Sequence, residues 1–388
     1  MGAFAGSIGV QRYRVRGGVP EDLRRLATAG MEMRAAMPID PRSDEDRSHG
    51  WAHAEDPHYT AFPDDGHIVG DWLVATMRVD TLRIPRAQML PILRERLQAH
   101  EAETGTPPDR RTRKRIELEV RRVLRHRVLP TVRAYDFAWH LPTGLVLSWA
   151  TGATTAELFL DLFETTFDRA LEPLGPAAVA AEAVEFAAAL EVLRPTPEFL
   201  AGFTHHVANS IGVDGDLRTR TFLGREFLSW LLWRAECEGA SVASSQRGRV
   251  AVRIGSRVTT TSLAGEVGSC PMRGMAPGGS LEARAALFRG GTVSQMAVAL
   301  EAGAVGWEAV VSSGFDLRGV KLPDDDSEDL DGRIARRLDA IRELSELLDA
   351  AFVEFLRVRL GESWRENVAN IGEWLREALE RASAVPSI

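Results

Sequence analysis

The stretch between Pro108 and Pro130 constrains this chain more than any other. At 100° per residue Ile116, Val120, Val123 and Leu124 fall within one sector, and Arg111, Lys114, Arg115, Arg121, Arg122 and Arg125 cluster opposite. Such a segment reads as an amphipathic helix with one side packed and the other left to solvent or to a partner. Arg127 falls on the apolar side, so the stripe is imperfect near the Pro130 stop. From Asp109 to Arg133 ten Lys/Arg stand against three acids, a net +7 in a chain of net charge −8, which leaves −15 for the remainder. A basic surface on an acidic body attracts polyanions at one place and repels them elsewhere.

The 388 residues suffice for two or three domains with a real core. Cys237 and Cys270 are the only cysteines, too few for a disulfide framework or a cysteine-based zinc site. The opening residues lack the pattern of a signal peptide, and no apolar run approaches the roughly 18–20 residues of a membrane span. The expectation is a cytoplasmic protein with no membrane contact. Lys114 and Lys321 are the only lysines. The positive charge is therefore almost all arginine, which holds phosphate through planar, bidentate contacts and keeps its proton.

Along the chain, Gln11–Arg16 alternates as a short strand, and Pro20 opens an amphipathic segment through Arg34. Residues 36–66 read as irregular with short strands, and Ile68–Met77 as a buried strand that Arg78–Ile84 continues or pairs with. From Pro85 to Glu103, Met89/Leu90, Leu93 and Leu97 share a stripe. Gly105-Thr-Pro-Pro108 then turns this helix onto the basic one. Ala134–His140 and Leu145–Trp149 read as paired strands, Thr155–Leu171 as a helix covering them, and Ala177–Leu193 as a helical connector. Residues 211–323 look mostly β, with strands at 250–254, 257–263, 292–300 and 305–311 and a helix at Phe222–Glu236. Helices are expected from Asp331 and again from Ser363.

Other candidate chemistry is thin. His49, His53, His58 and His67 with Asp56, Asp64, Asp65 and Asp71 could bind a divalent ion and activate water for phosphodiester hydrolysis. Their spacing follows no nuclease motif, so they read as polar loop residues; no metal and no cofactor is expected. His205-His206 is no stronger. Gly278-Gly279 and Gly290-Gly291 lack the Gly-Lys-Ser/Thr of a nucleotide-binding loop. Cys237 reads as a small core residue, and Trp230 and Trp233, on a helix apolar almost all round, as core or dimer interface. The acidic run from Asp324 to Asp331 reads as a solvated helix start or, as a sharper option, a shield over the basic surface.

Several local patterns, in order, resemble the RdgC family of recombination-associated DNA-binding proteins. They are Gly50-Trp51, Asp65-Gly66-His67-Ile68-Val69, Leu82-Arg83-Ile84-Pro85, Val128-Leu129-Pro130, Gly144-Leu145 with Ala156-Glu157, Gly291–Leu300 and Leu317–Leu322. The likeness covers residues 8–175 and 289–360 best. Where the family shows a basic residue and an aromatic after Leu-Leu-Pro, this chain has Thr131 and Arg133, with Tyr135 and Phe137 beyond.

The resemblance implies an α+β fold: an N-terminal sheet-and-helix domain (1–84 and 130–175), a protruding basic helical hairpin (85–129), a second α+β domain (176–323) and an acidic helical tail (324–388). It further implies a ring-shaped homodimer encircling duplex DNA, nucleoid-associated, without sequence preference, and restraining a RecA-type recombinase. Single-stranded DNA is a second ligand to consider. The expected phosphate contacts are Arg110, Arg111, Lys114, Arg115, Arg121, Arg122, Arg125 and Arg133, in a protein that is not an enzyme. The enzyme alternative is a metal-dependent nuclease built on residues 49–71.

Overall fold

A computed structural model describes residues 2–3, 8–18, 23–62, 67–201, 220–262, 269–274, 279–323 and 330–383. His205-His206, Asp64, Asp65 and residues 324–329 of the acidic run lie outside the described residues. The fold is mixed α+β around a large antiparallel sheet.

The first half of the sheet contains β1 (Ile8–Val15), β2 (Arg47–Ala52), β3 (Ile68–Val69), β4 (Trp72–Thr81), β5 (Thr131–His140), β6 (Leu145–Ser148) and β7 (Leu171–Pro173). The second contains β8 (Ala240–Ser244), β9 (Gly248–Ser262), β10 (Cys270–Arg273), β11 (Gly291–Ala302), β12 (Val305–Ser312) and β13 (Leu317–Lys321). The strands run in the order β10-β9-β11-β12-β13-β1-β6-β5-β4-β2, with β3 on β4, β7 on β1 and β8 on β9.

The helices are α1 (Leu23–Met33), α2 (Arg86–Thr104), α3 (Arg110–Arg125), α4 (Ala153–Phe167), α5 (Pro176–Glu182), α6 (Ala187–Val192), α7 (Pro197–Ala201), α8 (Thr221–Cys237), α9 (Leu281–Phe288), α10 (Leu330–Leu360) and α11 (Trp364–Ser383).

Period-two alternation explains the two main cores. On β1, Ile8 and Val10 enter one cluster and Tyr13 and Val15 the other. On β4, Trp72 and Val74 go one way while Leu73, Ala75, Met77 and Val79 go the other. A strand buried on both faces needs a continuous apolar run, which is why this part of the sequence lacks polar alternation. One face meets α4, where Trp51, Phe137, Trp139, Phe159, Phe163 and Phe167 form a connected set of tilted and edge-on aromatic pairs. Trp51 Nε1 donates to Thr166 Oγ1 at 2.8 Å, so its polar edge is satisfied inside that cluster. Gly50 precedes it because a Cβ there would lie 2.7 Å from the backbone of Ala36 and Arg34.

The other face meets α8 and α10, whose Phe227, Trp230, Ile334, Leu338, Ile341, Phe352 and Phe355 belong to the largest cluster. Two buried ion pairs tie these helices down. Arg12 of β1 donates to Asp349 Oδ1 of α10 at 2.9 Å, and its guanidinium lies 5.8 Å from the Phe315 ring centroid. Glu226 of α8, 1% exposed, accepts from Arg359 Nε of α10 at 2.7 Å and from the Thr196 amide at 2.6 Å. Arg359 also donates to the Arg194 carbonyl at 2.7 Å and lies over Trp364 of α11 at 5.0 Å.

Several expectations shift. Residues 68–77 are not one strand: Gly70, at φ 59°, turns β3 back onto β4. The strand pair expected at 250–263 is the single strand β9, whose pairing with β11 absorbs two register shifts. The 177–193 connector is broken into α5, a 3-10 turn at Val184–Phe186 and α6. Cys237 is exposed at the end of α8, not a core residue, because the apolar face of that helix ends at Trp233. Trp230 and Trp233 are buried in the core.

Glu226→Ala would leave the Arg359 guanidinium buried without its carboxylate. It should lower unfolding free energy by about 3–5 kcal/mol, seen as a lower urea midpoint at unchanged slope. Replacing both partners, Glu226→Leu with Arg359→Met, should cost distinctly less.

Candidate nucleic-acid interface

Helices α2 and α3 follow β4 and return the chain to β5. α2 ends where Gly105 adopts the left-handed conformation (φ 69°) and donates its N–H to the Glu101 carbonyl at 2.8 Å. Pro107 and Pro108 forbid continuation. Asp109 then caps α3, its carboxylate accepting from the Thr112 amide at 2.8 Å. Hydrogen bonds from the Thr112 side chain and then from its amide hold the Asp109 carboxyl below its ordinary range. At the other end Arg122 and Arg125 occupy the last turn, where cations suit the helix dipole.

The two helices share a small core of their own. Leu93, Ile116, Val120 and Leu124 are buried, with Ile84, Met89, Ile92 and Leu97 packed against them. The expected stripe is corrected at two positions: Leu90 is 43% and Val123 49% exposed. Leu118, at 50%, and Leu129, at 89%, are also exposed. The stripe that closes the pair is narrow, one residue per turn at 116, 120 and 124, so Val123 falls outside it.

The eight expected phosphate contacts divide into three groups. Arg110, Arg111, Lys114, Arg122 and Arg133 are exposed and make no ion pair among the described residues. Arg115 pairs with Glu119 at 3.1 Å, both side chains more than half exposed; an exposed i,i+4 pair is worth a few tenths of a kcal/mol (~0.3–0.5) and exchanges readily. Arg121 and Arg125 both bind Asp46, just before β2. Arg125 is corrected from contact residue to anchor: its side chain is 2% exposed, and it also donates to the carbonyls of Glu45 at 2.5 Å and Pro41 at 3.3 Å. The sequence places Arg125 with the basic face, but residues 41–46 cover the base of α3 there and enclose its guanidinium.

Asp46 also accepts the Leu82 amide on its own carbonyl at 2.8 Å. One residue thus ties the end of β4, the start of β2 and the last turn of α3. It went unread in the sequence, although Asp40, Asp44, Glu45 and Asp46 form an acidic cluster complementary to the basic helix. Arg133 lies on β5 opposite Val79, on the face that carries Tyr135 and Phe137, so it is a sheet residue apart from the helical row. Arg113 and Arg127, not among the eight, are exposed as well.

A helix of 16 residues extends about 24 Å. Arg110 to Arg122 therefore present a row of cations long enough to track several phosphates of a nucleic-acid strand. The His/Asp region gathers differently. Among the described residues no group of three or more His, Cys, Asp or Glu could hold a metal ion. His67 is buried with Nε2 3.4 Å from Thr28 Oγ1, and His53 makes an edge contact with Tyr59. Among the described residues no helix is long and apolar enough to cross a membrane. No family model matches this chain, and no curated protein matches it.

Asp46→Ala should speed amide hydrogen exchange throughout α3 while leaving the β4–β5 ladder protected, because the anchor is local. Arg121→Ala, which loses only a half-exposed pair, should change stability by no more than about 1 kcal/mol. Uniform loss of protection across helix and sheet would contradict a local anchor.

Proposed function

We propose that this protein binds the phosphate backbone of nucleic acid, duplex DNA first, through the exposed cations of α3 and without reading base sequence. The observation that carries the reading is the row Arg110, Arg111, Lys114 and Arg122: exposed, with no ion pair among the described residues, on a protein that is otherwise strongly acidic. Arg115 joins by exchanging Glu119 for phosphate. Contacts to phosphate displace counterions and need no base readout, and the acidic remainder disfavours binding elsewhere. The RdgC resemblance adds what this surface alone does not carry: a ring-shaped homodimer around DNA and restraint of a RecA-type recombinase. Exposed Leu90, Val123 and Leu129 on and just after the same helical pair offer apolar surface on which a second copy could dock, whereas Leu118 falls among the cations of α3. No specific observation favours the nuclease alternative.

Reversing Arg110, Arg111, Lys114 and Arg122 to Glu should abolish duplex binding in a gel shift while the melting temperature stays close to that of the parent. For the parent protein, five or six phosphate contacts give a log–log salt slope of roughly −4.5 to −5.5. Wild-type affinity in the quadruple variant would refute the assignment. Val123→Asp with Leu129→Asp should convert dimer to monomer in a sizing measurement; an unchanged dimer would place self-association elsewhere.

A further inference from the structure

Leu118 stands where the packing of α3 gives it no role. It lies about 160° around the helix from both Ile116 and Val120, two of the side chains that hold α3 to α2, and it takes no part in their core. It is 50% exposed. Its helical neighbours at i−4, i−3, i+3 and i+4 are Lys114, Arg115, Arg121 and Arg122. The outward face of the helix is thus centred on a leucine ringed by four cations.

The cations form two columns on either side of it. Arg110, Lys114 and Arg121 run along one flank and Arg111, Arg115 and Arg122 along the other, all within about 80° of Leu118. Each column keeps two exposed cations with no ion pair among the described residues, Arg110 with Lys114 and Arg111 with Arg122. Towards the base Arg121 is held by Asp46, and residues 41–46 enclose Arg125, so the open part of the columns ends at Arg122. Helix α2 packs on the far side of α3 and leaves this face clear.

Two lines of charge with an apolar ridge between them match a groove, with a phosphate strand on each side and base edges in the middle. The major groove of duplex DNA is about 12 Å wide and a helix with its side chains about 10–12 Å across, whereas the minor groove, at about 6 Å, is too narrow. The apolar feature that bases present in the major groove is the thymine methyl. Single strands are gripped by stacking their bases on aromatic rings, and no Phe, Tyr or Trp occurs between Trp72 and Tyr135, a span that contains the whole hairpin.

We infer that α3 enters the major groove of duplex DNA, its two cation columns on the facing phosphate strands and Leu118 against thymine methyl groups. This rests on the phosphate-binding reading above and deepens it: Leu118 grades the thymine content of a duplex and spells out no order of bases.

Fluorescence anisotropy of the full-length protein at low salt tests it, with short alternating A·T duplexes and the same duplexes carrying uracil in place of thymine. Uracil lacks only the methyl. The parent should bind the thymine duplex about fourfold more tightly, as one methyl group taken out of water predicts. Leu118→Ala, which trims an exposed side chain, should keep the melting temperature and bind both duplexes about equally. Netropsin, which fills the minor groove of A·T duplexes, should not displace the parent. Equal affinity of the parent for the two duplexes, a thymine advantage that survives in Leu118→Ala, or displacement by netropsin would overturn the inference and leave phosphate binding standing. Full duplex affinity in the quadruple charge variant, or no duplex binding by the parent, would overturn both.

Discussion

Strand β1 bears hydrogen-bond ladders along both edges: Ile8–Val10 with β13 and Tyr13–Val15 with β7 on one side, Gln11–Arg14 with β6 on the other. It is the seam at which two halves of the sheet, far apart in sequence, become continuous. Its side chains also divide between two cores on opposite faces. Arg12 fixes this seam to α10 from within, donating to Asp349, to the Ser345 carbonyl at 3.4 Å and to the Leu174 carbonyl at 3.4 Å. A guanidinium buried to this degree is tolerated only with such a set of acceptors. Because those acceptors lie on α10 and just after β7, the native place of the strand is held by segments distant in sequence.

Much of this was legible from local pattern. The apolar helices α4, α8 and α10, the turn at Gly105 to Pro108 and the strands β5, β6, β11 and β12 follow from periodicity and from Gly and Pro chemistry. β8, β10 and α9 were not. They are short, and β10 (Cys270–Arg273) carries almost no buried side chain, so no apolar alternation announces it. The seam itself was invisible, since nothing in residues 8–15 names β13 as a partner some three hundred residues away. Turn chemistry at Gly70 was overridden in the reading by the strength of the apolar run around it.

The basic helix shows the same limit at finer scale. Its location, its amphipathic character and most of its exposed cations could be read directly. Which arginines face inward could not, because that depends on Asp46, a residue over sixty positions earlier in the chain. A charge pattern gives the sum; the fold decides which charges are spent internally. Here Arg125 is spent entirely, Arg121 in part, and the row from Arg110 to Arg122 is left outward.

The core beneath that row is slender. Four buried side chains hold α2 to α3, whereas the sheet rests on clusters many times larger. Cooperative units of such unequal size open with unequal free energies. The hairpin is therefore the first part to breathe on warming, and any partner gripping it would stiffen it in return. A small core under an exposed arm thus lets that arm loosen without the framework behind it having to open.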